Sequence, residues 1–86
     1  MNNDLYQLAI DRWGVDAQLT VVIEELSELA KEICKLKRGF DNLEGLAEEI
    51  ADVEIMCEQL RFIIDKDFKI NAYKQAKLKR LADRLK

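Results

Sequence analysis

The sequence predicts an all-α fold, in which an antiparallel helix hairpin forms the centre of a small four-helix bundle. The 86 residues contain no proline and only three glycines, and 36 % of them are charged, a composition typical of helical domains. Apolar residues in the two central segments recur every three or four positions, which is the period of a helix. One domain of residues 1–86 is expected, and a core of this size usually needs oligomerisation for stability.

Glycines delimit the first two predicted helices. A helix over residues 3–13 ends at Gly14. A second helix begins near Asp16 and runs to about Arg38, and Gly39 suits the position after its last turn. The apolar positions of the second helix alternate in steps of three and four: Leu19, Val22, Leu26, Leu29, Ile33 and Leu36.

The third helix begins after Asp41 or Asn42 and runs to about Ile64. Its apolar positions have the same alternation, which predicts helices packed at a shallow angle: Leu43, Leu46, Ile50, Val53, Cys57, Leu60 and Ile64. A short connection over 65–69 leads to a fourth helix over 69–85. The apolar residues of that helix are Ile70, Tyr73, Leu78, Leu81 and Leu85.

Composition and charge exclude several classes of function. The chain has no histidine, so histidine zinc sites and Ser-His or Cys-His nucleophile pairs are excluded. Cys34 and Cys57 fall within helical apolar patterns and are expected to be reduced core thiols. The net charge is −3, which is the sum of −8 for residues 1–64 and +5 for residues 65–86. Because the chain is acidic overall, it is a poor candidate for binding duplex nucleic acid. No apolar run approaches a membrane span and no signal peptide is evident, so a cytoplasmic location is expected.

Two acidic motifs have nearly the same sequence, Glu24-Glu25-Leu26-Ser27-Glu28 and Glu48-Glu49-Ile50-Ala51-Asp52. Acids three residues apart share one face of a helix. In an antiparallel hairpin each inner pair lies about 12 residues from Gly39, or roughly 18 Å, so the two pairs reach the same height. The inner acids border the apolar stripes, whereas Glu24 and Glu48 point toward solvent.

Four carboxylates at one height predict a site for a hard divalent cation. The four inner acids are Glu25, Glu28, Glu49 and Asp52, and they would repel one another strongly without a cation. Ligation by oxygen alone suits Mg²⁺, with Mn²⁺ as the other candidate. The alternative is that these acids are the ordinary solvated flank of a helical bundle.

The spacing of the four acids resembles the motif of the MazG-type, all-α nucleoside triphosphate pyrophosphohydrolases. Glu25-x-x-Glu28 and Glu49-x-x-Asp52 are separated by 20 residues. The resemblance implies a MazG-type fold and Mg²⁺ ligation by the four acids. It also implies a homodimer or homotetramer that hydrolyses an NTP or dNTP to the monophosphate and pyrophosphate. Phosphoribosyl-ATP pyrophosphohydrolase and the dimeric dUTPases resemble the chain less closely.

The resemblance to short members of this family makes five further side chains of this sequence candidates for contact with a nucleotide. Gln18 lies seven residues before Glu25 and points the same way; the alternative is a polar residue at the edge of the stripe. A tryptophan before Gly14 could stack on a base, although such residues are more often core or interface anchors. Three basic residues share one face of the fourth helix. They could bind phosphate, or they could simply form a solvated basic face. The five are Trp13, Gln18, Lys74, Lys77 and Arg80.

Three functions are therefore compared. The first is Mg²⁺-dependent hydrolysis of a nucleoside triphosphate, which predicts pyrophosphate release that depends on the four acids. The second is a non-catalytic helical dimerisation or interaction module, whose acids could be replaced without loss. The third is a degenerate family member that binds nucleotide but does not cleave it.

Overall fold

The computed structural model describes residues 2–86, which form four α-helices without a strand. The helices are α1 (Asn3–Trp13), α2 (Val15–Lys37), α3 (Leu43–Ile64) and α4 (Asp67–Arg84). The predicted all-α class is confirmed, and the packing of the helices fits a bundle. The fourth helix starts two residues earlier than predicted. None of the four described helices is both long enough and apolar enough to span a membrane.

Backbone conformations that favour glycine set the first two turns. Gly14 has a φ of 88° between α1 and α2, and Gly39 has a φ of 89° just after α2. Beyond α2, the N–H of Gly39 donates to the carbonyl of Leu36, and the N–H of Phe40 donates to that of Lys35. This pair of bonds is a Schellman motif, which satisfies the last carbonyls of the helix and reverses the chain.

The helices α2 and α3 pack as an antiparallel hairpin. Glu25 on α2 lies beside Asp52 on α3, and Glu32 lies beside Gly45. The residue number therefore falls along α2 as it rises along α3, which defines the antiparallel direction. The α2 residues facing α3 are buried or half-buried, and they include polar side chains: Gln18, Val22, Glu25, Leu29 and Glu32.

The packed face differs from the predicted apolar stripes. Four of the six predicted positions on α2, namely Leu19, Leu26, Ile33 and Leu36, are 37 to 48 % exposed. On α3, Leu43, Ile50 and Ile64 are exposed as well, and both cysteines are exposed free thiols, so the expectation of core thiols is wrong. The helices are rotated so that the acidic edge of each stripe lies in the hairpin and much of the apolar stripe faces outward.

The outer helices are attached to α3 by polar contacts. Tyr6 of α1 is buried, and its hydroxyl donates to Glu58 on α3. Burial, together with this carboxylate, raises the pKa of Tyr6 above its ordinary value. On the other side, the guanidinium of Arg61 contacts Asp67 at 3.4 Å and Asn71 at 2.9 Å, which ties the start of α4 to α3.

A polar cluster closes the hairpin next to its loop. The side-chain amide of Asn42 donates to the backbone carbonyl of Glu32 at 2.9 Å and to its carboxylate at 3.3 Å. The ammonium of Lys35 lies 3.3 Å from the same carboxylate. The bond from Asn42 and the charge of Lys35 lower the pKa of Glu32. A Cβ atom at Gly45 would lie 2.6 Å from this carboxylate, so glycine leaves the space that Glu32 occupies.

We expect the effect of Gly45→Ala to depend on Glu32. In an E32A background the substitution should stabilise the chain by up to about 1 kcal/mol, because alanine favours a helix over glycine. In the unaltered chain the clash should cancel or reverse that gain. Urea unfolding of the single and double variants measures the difference.

Ala47→Gly calibrates this experiment, because Ala47 is an exposed position within the same helix. That substitution should cost about 1 kcal/mol in either background. If G45A stabilised both backgrounds equally, the close approach of Gly45 to Glu32 would be contradicted.

Candidate metal centre

Three carboxylates converge where α2 and α3 pass each other. One oxygen from each of Glu25, Glu49 and Asp52 lies within 4.8 Å of the others. Glu25 and Glu49 are half-buried and Asp52 is exposed, so the group lies at the edge of the hairpin. The Oε2 atoms of Glu25 and Glu49 are buried and have no hydrogen-bond partner among the residues that the structure describes.

Helix periodicity explains why these acids meet. Glu25 precedes Glu32 by seven residues, and Asp52 follows Gly45 by seven. Seven residues are about two turns of a helix, so each acid lies on the same face as the residue near the loop. The contact between Glu32 and Gly45 therefore also brings Glu25 level with Asp52.

The electrostatics of the cluster favour a proton or a cation. Burial, together with the neighbouring carboxylates of Glu49 and Asp52, raises the pKa of Glu25 to about 7. No lysine or arginine forms an ion pair with these acids within the described residues 2–86. The repulsion among the three carboxylates is thus not relieved by a basic side chain.

The spacing of the oxygens suits one divalent cation. Ligands on opposite sides of an ion are about 4.2 Å apart for Mg²⁺ and about 4.8 Å apart for Ca²⁺, twice the usual metal–oxygen distance. Three oxygens within 4.8 Å can therefore reach one ion after small side-chain movements. Glu25, Glu49 and Asp52 are the residues that would hold it.

The fourth predicted ligand stands apart from this group. Glu28 is exposed, and it is not among the converging carboxylates of the described residues. It lies three residues after Glu25 on α2, toward the edge of the packed face. The outer acids Glu24 and Glu48 are exposed, in agreement with the sequence prediction.

A shallow depression adjoins the carboxylates. Its volume is about 180 Å³, and it is lined by Val21, Glu25, Asp52, Ile55 and Met56. A larger cavity of about 820 Å³ lies between α1, α3 and α4, where Tyr6, Glu58 and Arg61 are among the lining residues. The carboxylate cluster does not contribute to that larger cavity.

The side chains predicted to bind substrate are dispersed in one chain. Gln18 is buried in the hairpin two turns before Glu25, whereas Trp13 is exposed with the guanidinium of Arg12 lying 5.8 Å from its ring centroid. The basic residues of α4 are exposed, and α4 contacts α3 but not α2. Within a single chain, the α4 residues Lys74, Lys77 and Arg80 are therefore not brought beside Glu25.

Sequence reasoning missed the polar cluster that aligns the acids. Glu32, Asn42 and Gly45 were not recognised as one unit, although two signals were present. Glu32 lies seven residues after Glu25, and Gly45 is a glycine inside a helix, where it costs stability unless packing requires it.

We expect Glu25 to make the stability of the metal-free chain depend on pH. Its folded pKa of about 7 exceeds its ordinary value of 4.5, so the folded state binds the proton more tightly than the unfolded state. This contribution is complete below the unfolded pKa and is lost as the pH rises through 7. With a chelator present, the melting temperature of E25Q relative to the unaltered chain should therefore rise between about pH 5 and pH 8.

The E24Q variant is the matched control, because it removes one charge from the same turn at an exposed position. Its melting temperature relative to the unaltered chain should change little over this pH range. Equal pH profiles for E25Q and E24Q would contradict the crowding of Glu25.

Comparison with known proteins gives no relative on which to base a function. No family model matches the chain, and no curated protein or solved structure matches it at a significant level. The residues and distances described above therefore supply the evidence on function.

Proposed function

We propose that the chain is a Mg²⁺-dependent, MazG-like pyrophosphohydrolase that converts an NTP or dNTP to the monophosphate and pyrophosphate. The observation that supports this proposal most directly is the meeting of Glu25, Glu49 and Asp52, none of which forms an ion pair with a basic side chain among residues 2–86. The spacing of these acids in the sequence, which resembles the family motif, is the second support. Mn²⁺ is an alternative to Mg²⁺, because both accept carboxylate ligands.

The chemistry of the substrate explains why such a cluster is needed. A triphosphate carries several negative charges, and a divalent cation held by Glu25, Glu49 and Asp52 would supply the positive charge that stabilises the substrate and the transition state. In the proposed reaction, water attacks the α phosphorus and the bond to the bridging oxygen breaks, so pyrophosphate leaves. The described cluster contains only carboxylates, so we assign the orientation of the water and the acceptance of its proton to one of them.

We propose further that the active form is a homodimer or homotetramer. The accessible surface of the chain is 6980 Å², whereas a compact monomer of this mass exposes about 5,200 Å². The radius of gyration is 15.7 Å, against about 12 Å for a compact chain of this length. A second copy can cover the exposed apolar stripe of the hairpin, which includes Leu26, Ile33 and Ile50.

Oligomerisation also bears on how phosphate would be bound. Within one chain, α4 does not contact α2, so its basic face is not beside Glu25. We therefore assign any contact of Lys74, Lys77 or Arg80 with substrate phosphates to a neighbouring subunit. The opposite charges of residues 1–64 and 65–86 favour such an approach of α4 to an acidic hairpin.

A non-catalytic dimerisation module is the second candidate function. The amount of exposed apolar surface favours it, because such surface marks an interaction site. This candidate predicts an oligomer without pyrophosphate release, and acids that can be replaced without loss. A nucleotide-binding form without turnover would instead show binding by calorimetry and no product.

We expect E25Q and D52N each to lower pyrophosphate release by more than about a hundredfold, because each removes a ligand charge from the cation site. A panel of NTPs and dNTPs, assayed with Mg²⁺ and with chelator, identifies the substrate for this measurement. Circular dichroism should show unchanged helix content in both variants.

The E48Q variant is the control, since Glu48 is exposed and adjoins Glu49 in the sequence. It should keep most of the activity. Full turnover by E25Q or D52N, or release of pyrophosphate in the presence of chelator, would exclude the proposed reaction.

We expect Ile33→Lys to reduce the oligomer to monomers at micromolar concentration. A charge in the middle of a buried apolar interface lacks both water and a partner. Light scattering coupled to size-exclusion chromatography measures the mass. Thr20→Lys, at an exposed polar position of the same helix, should leave the mass unchanged. A monomeric unaltered chain would contradict this part of the proposal.

A further inference from the structure

Asn42 begins α3 but does not cap it. It occupies the N-cap position, yet its side chain makes no hydrogen bond to its own helix. An asparagine in this position usually accepts a bond from an N–H in the first turn. Here the amide group of Asn42 instead donates to the backbone carbonyl and the carboxylate of Glu32 on α2.

The partner of Asn42 is held on three sides. The carboxylate of Glu32 accepts from Asn42 at 3.3 Å and pairs with Lys35 at 3.3 Å. It also lies against Gly45, where a Cβ atom would come within 2.6 Å. Sliding α2 along α3 by one residue would move this carboxylate by about 1.5 Å relative to α3 and break the fit at Asn42 and Gly45, whereas Lys35 lies on α2 and would move with Glu32.

We propose that Asn42 is a positioning residue, which fixes the height of α2 against α3 and thereby brings Glu25 to Glu49 and Asp52. The chain forgoes a cap on α3 and gains a bond between the two helices. Because the distance from Glu32 to Glu25 along α2 equals that from Gly45 to Asp52 along α3, a register set near the loop is carried to the carboxylates. Only the consequence for metal binding rests on the proposed function.

Three substitutions of Asn42 separate this role from capping. Serine and aspartate are good N-caps, but serine is too short to reach Glu32 and aspartate has no N–H to donate. If Asn42 only capped α3, N42S and N42D would match the unaltered chain and N42A would melt lower. If Asn42 positions α2, the melting temperatures of N42S and N42A should both be lower than that of the unaltered chain by about 5 °C. The melting temperature of N42D should be the lowest, because its carboxylate lies next to that of Glu32.

The double variant E32Q/N42D tests the bond itself. It places the amide on α2 and the carboxylate on α3, so the bond can form again in the opposite direction. Its melting temperature should exceed that of N42D but stay below that of the unaltered chain, because aspartate cannot donate to the backbone carbonyl of Glu32 and glutamine cannot pair with Lys35. Asn3→Asp is the matched control, because it makes the same change of charge at the exposed start of α1, and it should have little effect.

Metal binding provides a readout that a purely structural role would not change. Calorimetric titration of the full chain with Mn²⁺ should show affinity lowered about tenfold or more in N42D. E32Q/N42D should recover affinity to within about threefold, and N3D should be unaltered. All titrations use one protein concentration, because oligomerisation makes stability depend on concentration.

The outcomes distinguish the two proposals. Equal melting temperatures for N42S, N42D and the unaltered chain would overturn the positioning role, and so would unchanged Mn²⁺ affinity in a destabilised N42D. If the unaltered chain bound no Mn²⁺, the proposed function would fail. The order of the melting temperatures, and the higher melting temperature of E32Q/N42D than of N42D, would still decide whether Asn42 fixes the register of α2 against α3.

Discussion

Polar residues recur every seven positions in the antiparallel contact between α2 and α3, and the arrangement of the candidate site depends on this contact. Gln18, Glu25 and Glu32 follow one another at seven-residue steps on α2, and Gly45, Asp52 and Gln59 do so on α3. Gln18 and Gln59 are only 7 % and 2 % exposed. Buried polar groups stabilise a structure only when they are paired. Glu32 has polar partners in Asn42 and Lys35, whereas the buried oxygens of Glu25 and Glu49 have none among the described residues, so the polar contacts that favour this register lie next to the loop.

The sequence was sufficient to predict the helices but not the face by which they pack. Glycine positions and apolar periodicity are local signals, and they located α1 to α3 closely and α4 within two residues. The packed face depends on which side chains meet across two helices. Glu32 lies against Gly45 and accepts a hydrogen bond from Asn42, and with these contacts formed the acidic edge of each stripe lies inward. Periodicity assigned Leu26 and Ile33 to the core because it contains no information about such a partner.

The same distinction applies to the candidate site. The common height of the acids follows from helix rise and loop length, so the approach of Glu25 to Glu49 and Asp52 could be predicted. The separate position of Glu28 could not, because it results from the rotation of α2 about its axis. The basic residues of α4 were predicted from their charge alone, and charge does not determine the direction in which a terminal helix leaves the bundle.

Two features lower the stability of this chain as a monomer, namely the crowded carboxylates and the exposed apolar stripes, and different contacts would relieve each of them. Burial and the crowding of neighbouring carboxylates raise the pKa of Glu25. At neutral pH the repulsion among the carboxylates opposes the hairpin, and a divalent cation would remove that repulsion. Apolar stripes that face outward leave exposed surface of the kind that marks an interaction site. Burying the stripes within the hairpin would turn the acids out to solvent, where repulsion is weaker but no cation site forms. The rotation of the helices therefore lowers the stability of the monomer, and this cost agrees with the proposed cation site and the proposed oligomer.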